Sequence, residues 1–199
     1  MTTADEVLDF WFGDALESPE AALARCLVWF QGGDDFDQEI RRRFGSLPER
    51  AQRDEFAAWA RAPKPAVALV IVLDQFPRNL FRGTARAFEC DARARSVARE
   101  ALEAGYDLEL DPLEATFLYL PFEHSEDLRD QHHCVALYEQ LVKRAPSGQT
   151  ALYEQSVDYA RRHRDVVERF GRFPHRNQAL GREPTPEEVA YLDQGGDTF

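Results

Sequence analysis

An all-α fold is predicted by three features: cap–proline–acid signals recur along the chain, apolar residues repeat at helical spacing, and the one segment with strand character has no second strand to pair with. Thr3-Ala4-Asp5-Glu6 is a capping box, opening a helix that carries Val7, Leu8, Trp11 and Phe12. Ser18-Pro19-Glu20 supplies an N-cap and a first-turn proline for a helix through Trp29. Asp34 or Asp35 caps a helix over 36–44, and Pro48 opens another through Trp59. The run 66–73 is rich in β-branched residues, yet Pro63 and Pro65 suit a helix entrance; a buried helix is expected there, stopped near Phe76 by Pro77. A helix over 85–104 ends at Gly105. Asp111-Pro112-Leu113-Glu114 starts the next, and Ser125 caps a helix over 126–143. A helix over 150–170 and one opened by Thr185-Pro186-Glu187-Glu188 complete the series. Between them, 171–184 lacks helical pattern but contains Phe173 and Leu180, so it reads as an ordered loop. Gly32-Gly33 and Gly195-Gly196 read as loop and tail glycines. Trp11, Trp29 and Trp59, with Phe10, Phe12 and Phe30, are expected core anchors. No linker or composition break divides residues 1–199, which read as a single domain.

Bulk composition excludes several classes of function. With 44% apolar and 30% charged residues among 199, the balance is that of an ordinary soluble globule. A net charge of −12 opposes unspecific nucleic-acid binding, which needs a basic face, and equally opposes docking on anionic membranes. The longest apolar run, 66–73, is too short to span a bilayer, and Met1 to Glu6 lack the basic region of a signal peptide. Cys26, Cys90 and Cys134 are scattered without CxxC spacing, as reduced thiols would be. A cytoplasmic protein is expected.

The chemistry concentrates in an internal echo. Asp74-Gln75-Phe76-Pro77-Arg78-Asn79-Leu80-Phe81-Arg82-Gly83 is answered by Arg169-Phe170-Gly171-Arg172-Phe173-Pro174-His175-Arg176-Asn177, followed by Leu180-Gly181-Arg182. Arginine presents five donors in a rigid fork and keeps its charge, so two such motifs suit a phosphate or carboxylate. Arg78, Asn79, Arg82, Arg172, His175, Arg176 and Asn177 are the candidate ligand-binding residues. Against that stands a structural reading, in which the arginines pair with internal carboxylates and each asparagine closes a turn. A second constellation, Glu123-His124-Ser125-Glu126-Asp127 continuing to Asp130-Gln131-His132-His133, could place Glu123, Asp127 and Asp130 on one helical face. Glu123 and His124 are the candidate acid–base pair. His163 falls within an apolar stripe with Val157, Ala160, Val167 and Phe170, where a core histidine is the commoner outcome. The paired Glu-x-x-His motifs of di-iron bundles, HExxH, G-x-S-x-G, a phosphate-cradling glycine loop and a dinucleotide fingerprint are missing, so no metal and no cofactor is assigned.

Five segments in order carry a resemblance: Val7-Leu8-Asp9-Phe10-Trp11-Phe12-Gly13, Leu73 to Asn79, Ala87-Phe88-Glu89-Cys90-Asp91, Tyr119-Leu120-Pro121-Phe122-Glu123-His124-Ser125-Glu126, and Arg169 to Asn177. Together they resemble the bacterial family catalogued as domain of unknown function 924. The resemblance implies a helical array like the tetratricopeptide right-handed superhelix, and no particular reaction. Two functions fit these residues: a small-anion site with Glu123 or His124 as base, or a helical module that binds a protein or peptide and uses its arginines as internal struts.

Overall fold

The segment 66–73 is helical and lies at the centre of the molecule. In the computed structural model, which describes residues 2–31, 33–146 and 148–199 (Gln31 by its backbone alone), every residue from Ala66 to Phe76 is buried. A helix apolar on all sides is stable only when packed all round. Accordingly α5 (Pro63–Val70) lies against α1 (Ala4–Phe12), α7 (Asp91–Glu103) and α8 (Pro112–Glu123). Before it in the chain run α2 (Pro19–Gln31), α3 (Asp34–Phe44) and α4 (Leu47–Gln52). After α8, α9 (Leu128–Arg144) packs on both α8 and α10 (Thr150–Phe170), and α11 (Pro186–Asp193) follows the 171–184 loop. The fold is all-α. Gly32, of the expected glycine pair, lies outside the described residues.

Capping explains most of the boundaries. Thr3, Asp111 and Thr185 each close a full capping box, with Glu6, Glu114 and Glu188 reaching back to the cap backbone. Gly105 and Gly171 both adopt positive φ at helix ends, 76° and 69°, where a side chain would be strained.

Elsewhere local competition moves the ends. α3 begins at Asp34 behind Gly33, so both aspartates sit inside its first turn rather than at the cap. The helix opened by Pro48 stops at Gln52, since Asp54 turns left-handed at φ 61°, and a 3₁₀ turn over Ala57–Arg61 follows. Residues Ala85–Phe88 form a separate 3₁₀ turn, and α7 starts only at Asp91. Asp127, not Ser125, caps α9; the Ser125 hydroxyl instead donates to Asp130 at 2.8 Å.

Pro77 does not end its helix. Ahead of it the backbone widens into an i→i+5 turn over Ile71–Gln75, in which Phe76 N–H donates to the Ile71 carbonyl. Proline has no N–H to give and its ring would clash in an ordinary turn, so the wide turn lets the chain continue into α6 (Phe76–Leu80).

Aromatic packing joins the N-terminal helices to the centre. Trp11 stacks on Trp29 at 5.7 Å, and Phe117 meets Trp11, Phe12 and Trp29 edge-on. Phe10 and Trp59 are only partly covered, and Phe30 is 61% exposed, so it is no core anchor. Cys26, Cys90 and Cys134 are free thiols. Phe117→Ala should therefore cost about 3–5 kcal/mol in urea denaturation, while Phe30→Ala should stay within about 0.5 kcal/mol.

Candidate functional site

Three stretches of chain meet at one cavity of about 350 Å³. The first echo brings Gln75, Arg78, Asn79 and Arg82; the end of α8 brings Glu123 and His124; the loop after α10 brings His175 and Arg176. Its size is that of a small-molecule pocket.

Asp74, fully buried on the wide turn, does not line the cavity but holds three residues that do. His124 Nδ1 lies 2.8 Å from its Oδ1, Gln75 Nε2 donates to Oδ2 at 2.6 Å, and Arg78 Nη1 stands 3.3 Å away. Burial opposes ionisation here, but Arg78 and His124 outweigh it and hold the Asp74 carboxyl below the usual carboxylate range. Burial, then the Arg78 cation, push the His124 imidazole down, leaving it neutral. A neutral ring facing a carboxylate through Nδ1 must donate there, so Nε2 keeps its lone pair. That is a base oriented by an acid.

Glu123 is the neighbouring acid. It is 3% exposed, and no hydrogen bond reaches its carboxyl among the described residues. Burial, then the charge on Asp74, raise it to about 8, so it carries its proton at neutral pH. His163 Nε2 stands 3.9 Å from Glu123 Oε1, while His163 Nδ1 is bonded to the Tyr159 carbonyl at 2.9 Å. His163 is thus both a buried stripe residue and a lining residue of the cavity.

The two arginines have different circumstances. Arg78 is fully engaged: its guanidinium donates to both Asp91 oxygens at 3.0 and 3.1 Å and to the Asp74 carbonyl at 2.6 Å. Arg176 is 6% exposed and, among the described residues, makes one hydrogen bond, Nη1 to the His124 carbonyl at 2.9 Å. Asp91 is 4.0 Å away, and Nε is buried without a partner among the same residues. Its guanidinium lies between Phe88 and Phe173, 4.8 and 4.3 Å from their centroids. Burial, then the Arg78 charge, pull Arg176 down to about 10, still charged at neutral pH.

The remaining candidates are occupied elsewhere. Asn79 and Arg82 touch the cavity wall, but both donate to Asp37 of α3, each at 2.7 Å. Arg172 and Asn177 do not line the cavity; they hold the buried Glu188 of α11 at 2.6 and 3.2 Å. His175 lines it with a buried, unpartnered Nδ1, kept neutral by burial and the nearby Arg176. The expected common face of Glu123, Asp127 and Asp130 does not form, because the chain turns between α8 and α9; Asp127 pairs with Arg129 and Asp130 with Arg99. Among the described residues no group of three or more His, Cys, Asp or Glu could hold a metal ion, and no helix is long and apolar enough to cross a membrane. Sequence reasoning passed over Asp74, Asp91, Phe88 and Phe199; the first three lay inside motifs already singled out.

A family profile described as bacterial protein of unknown function (DUF924) matches residues 7–196. The chain belongs to this family. It is similar to the solved structure of a protein of unknown function, ATU0120 from Agrobacterium tumefaciens, at 38% identity and a TM-score of 0.81, over 96% of this chain and 97% of that one. No curated protein matches. The DUF924 match spans all the residues of the cavity except Phe199.

Two measurements follow from the geometry. Arg78→Ala strands Asp74 and Asp91 and should cost about 3–5 kcal/mol in chemical denaturation. Glu123 ordinarily titrates near 4.5 and in the fold near 8, so the unfolded chain loses its proton first as pH rises. Its contribution to stability is then present at or below the unfolded value and lost over that interval. Wild type should lose several kcal/mol relative to Glu123→Gln between about pH 5 and about pH 8, and parallel stability curves would show Glu123 ionised.

Proposed function

We propose that the cavity binds a small anion, a phosphate or a carboxylate, on Arg176 with Arg78 behind it, and that His124 and Glu123 act as base and acid on the bound molecule. The observation that carries this reading is Arg176: a charged guanidinium, nearly buried, which among the described residues makes a single hydrogen bond and leaves Nε without a partner. Arg172 and Arg182 each hold a carboxylate through two hydrogen bonds, and Arg93, whose Nε is also unpartnered, closes on Asp54 at 2.7 Å, whereas Asp91 stands 4.0 Å from Arg176. Leaving donors unmet in a low-dielectric site is costly unless a ligand completes them. His124 Nε2 and the protonated Glu123 offer an acceptor and a donor beside that charge, the complementary pair that proton transfer needs.

In each echo the arginine faces the cavity and the asparagine braces an acidic residue of a flanking helix, Asn79 from the cavity wall and Asn177 from outside it. Site and strut readings therefore apply to different residues of one motif.

A second reading, docking of a protein or peptide, is favoured by one observation. α2 exposes Leu23, Leu27 and Phe30, at 54%, 51% and 61%, on a helix that also borders the cavity.

Arg176→Met separates the alternatives, since it keeps an unbranched apolar stem in place and removes the guanidinium that lies against Phe88 and Phe173. In a thermal-shift series, inorganic phosphate or succinate at a hundredfold excess over Kd should stabilise wild type by about 2.7 kcal/mol, roughly 5–10 °C. The variant should melt at or above the unliganded wild type and show no shift. A variant that melts far earlier, with neither protein shifted by either anion, would make Arg176 a strut and leave the docking reading standing.

A further inference from the structure

Beside Arg176, with Phe173 touching both, the cavity holds an aromatic box filled by the protein's own Phe199. Its ring stacks on His163 with centroids 3.4 Å apart and planes at 23°, and meets Tyr159 and Phe173 edge-on at 5.4 and 6.0 Å. The Arg162 guanidinium covers Phe199 at 5.7 Å and Tyr159 at 5.3 Å. His163 presents an uncharged face, because burial holds it neutral and its Nδ1 donates to the Tyr159 carbonyl. These are the walls that a flat ring selects: one stacking face, edge-on neighbours and a cation.

Phe199 is held lightly. After α11 the tail is fixed by Asp197, whose N–H donates to the Tyr191 hydroxyl and whose carboxylate pairs with Arg162. Beyond Asp197, Thr198 and Phe199 make no hydrogen bond among the described residues, so ring contacts alone keep Phe199 in place. A segment with few backbone bonds opens at little cost.

We propose that this box is the second subsite of the cavity, that it takes a planar aromatic ring, and that Phe199 occupies it until a ligand displaces it. The ligand is then an aromatic phosphate or carboxylate, with its anion on Arg176 and its ring on His163. The anionic half rests on the reading of Arg176 above; the ring half rests on the box. Because a bound ligand has to displace Phe199, apparent affinity falls by the fraction of molecules in which the box is open.

Calorimetric titration of wild type and Phe199→Ala with three probes tests it. Inorganic phosphate should bind both proteins equally, since it ignores the box. Phenyl phosphate should bind Phe199→Ala about tenfold or more tightly than wild type. Benzamide, a neutral ring, should show the same preference for the variant. Phe199→Trp keeps a ring in the box and should behave as wild type. Equal or weaker binding of phenyl phosphate and benzamide by Phe199→Ala would overturn the subsite. If phosphate binds neither protein while benzamide still prefers Phe199→Ala, the subsite stands and the anion reading falls.

Discussion

Asp74 has no exposure to water, and an ionised carboxylate in that position has to be answered by the protein itself. It is answered by Gln75 from its own turn, Arg78 from α6 and His124 from the end of α8. Each answer fixes something further. Arg78, drawn towards Asp74, also clamps Asp91 and so anchors the start of α7. His124, donating to Asp74, has its tautomer set and its free nitrogen defined. The negative charge on Asp74 helps keep Glu123 protonated next door. One buried charge thereby couples the central helix to α7 and α8 and sets the protonation of the two groups proposed to do chemistry.

The wide turn at Ile71–Gln75 is what puts Asp74 there. A regular helix could not have accepted Pro77 without a clash, and a helix that stopped at Phe76 would have released Arg78 and Asn79 into a loop. Widening the turn by one residue keeps both on rigid backbone. Insertions of this kind recur at functional sites because they re-aim a side chain without ending the helix. It also explains why the sequence misled at this point: Phe-Pro is a helix stop by local rule, and only the packing of 66–76 on every side makes continuation cheaper than termination.

Legibility followed the range of the interaction. The capping boxes at Thr3, Asp111 and Thr185 act within one turn and were readable from the string. Arg78, Arg176, Glu123 and His124 were found because motifs repeat or cluster them. Arg172 and Arg176 share one short loop and one chemistry, yet the first meets Glu188 while the second meets an open cavity. The difference lies in where α11 folds back, which no local pattern encodes. Asp91 and Phe199 were missed for the same reason: one is joined to Arg78 and the other to His163 only by the tertiary fold. Phe30 was misjudged in the opposite direction, since a phenylalanine beside a buried tryptophan reads as core, whereas helical geometry turns adjacent residues to different faces.

The charge balance of the cavity bears on how an anion would enter it. Arg78 and Arg176 are matched by Asp74 and Asp91, and the lining Arg82 by Asp37, while Glu123 and the three lining histidines are neutral, so the site as folded carries no net charge. An incoming anion would leave it negative, in a medium that screens poorly. The cheapest compensation is a proton, held more firmly by Glu123 or taken up by His175, both of which line the same cavity. On the proposed reading, anion binding and proton binding are therefore linked, each strengthening the other. A bound anion would hold Glu123 in its acidic form, which places a donor, rather than a competing negative charge, next to the ligand and leaves His124 Nε2 as the base.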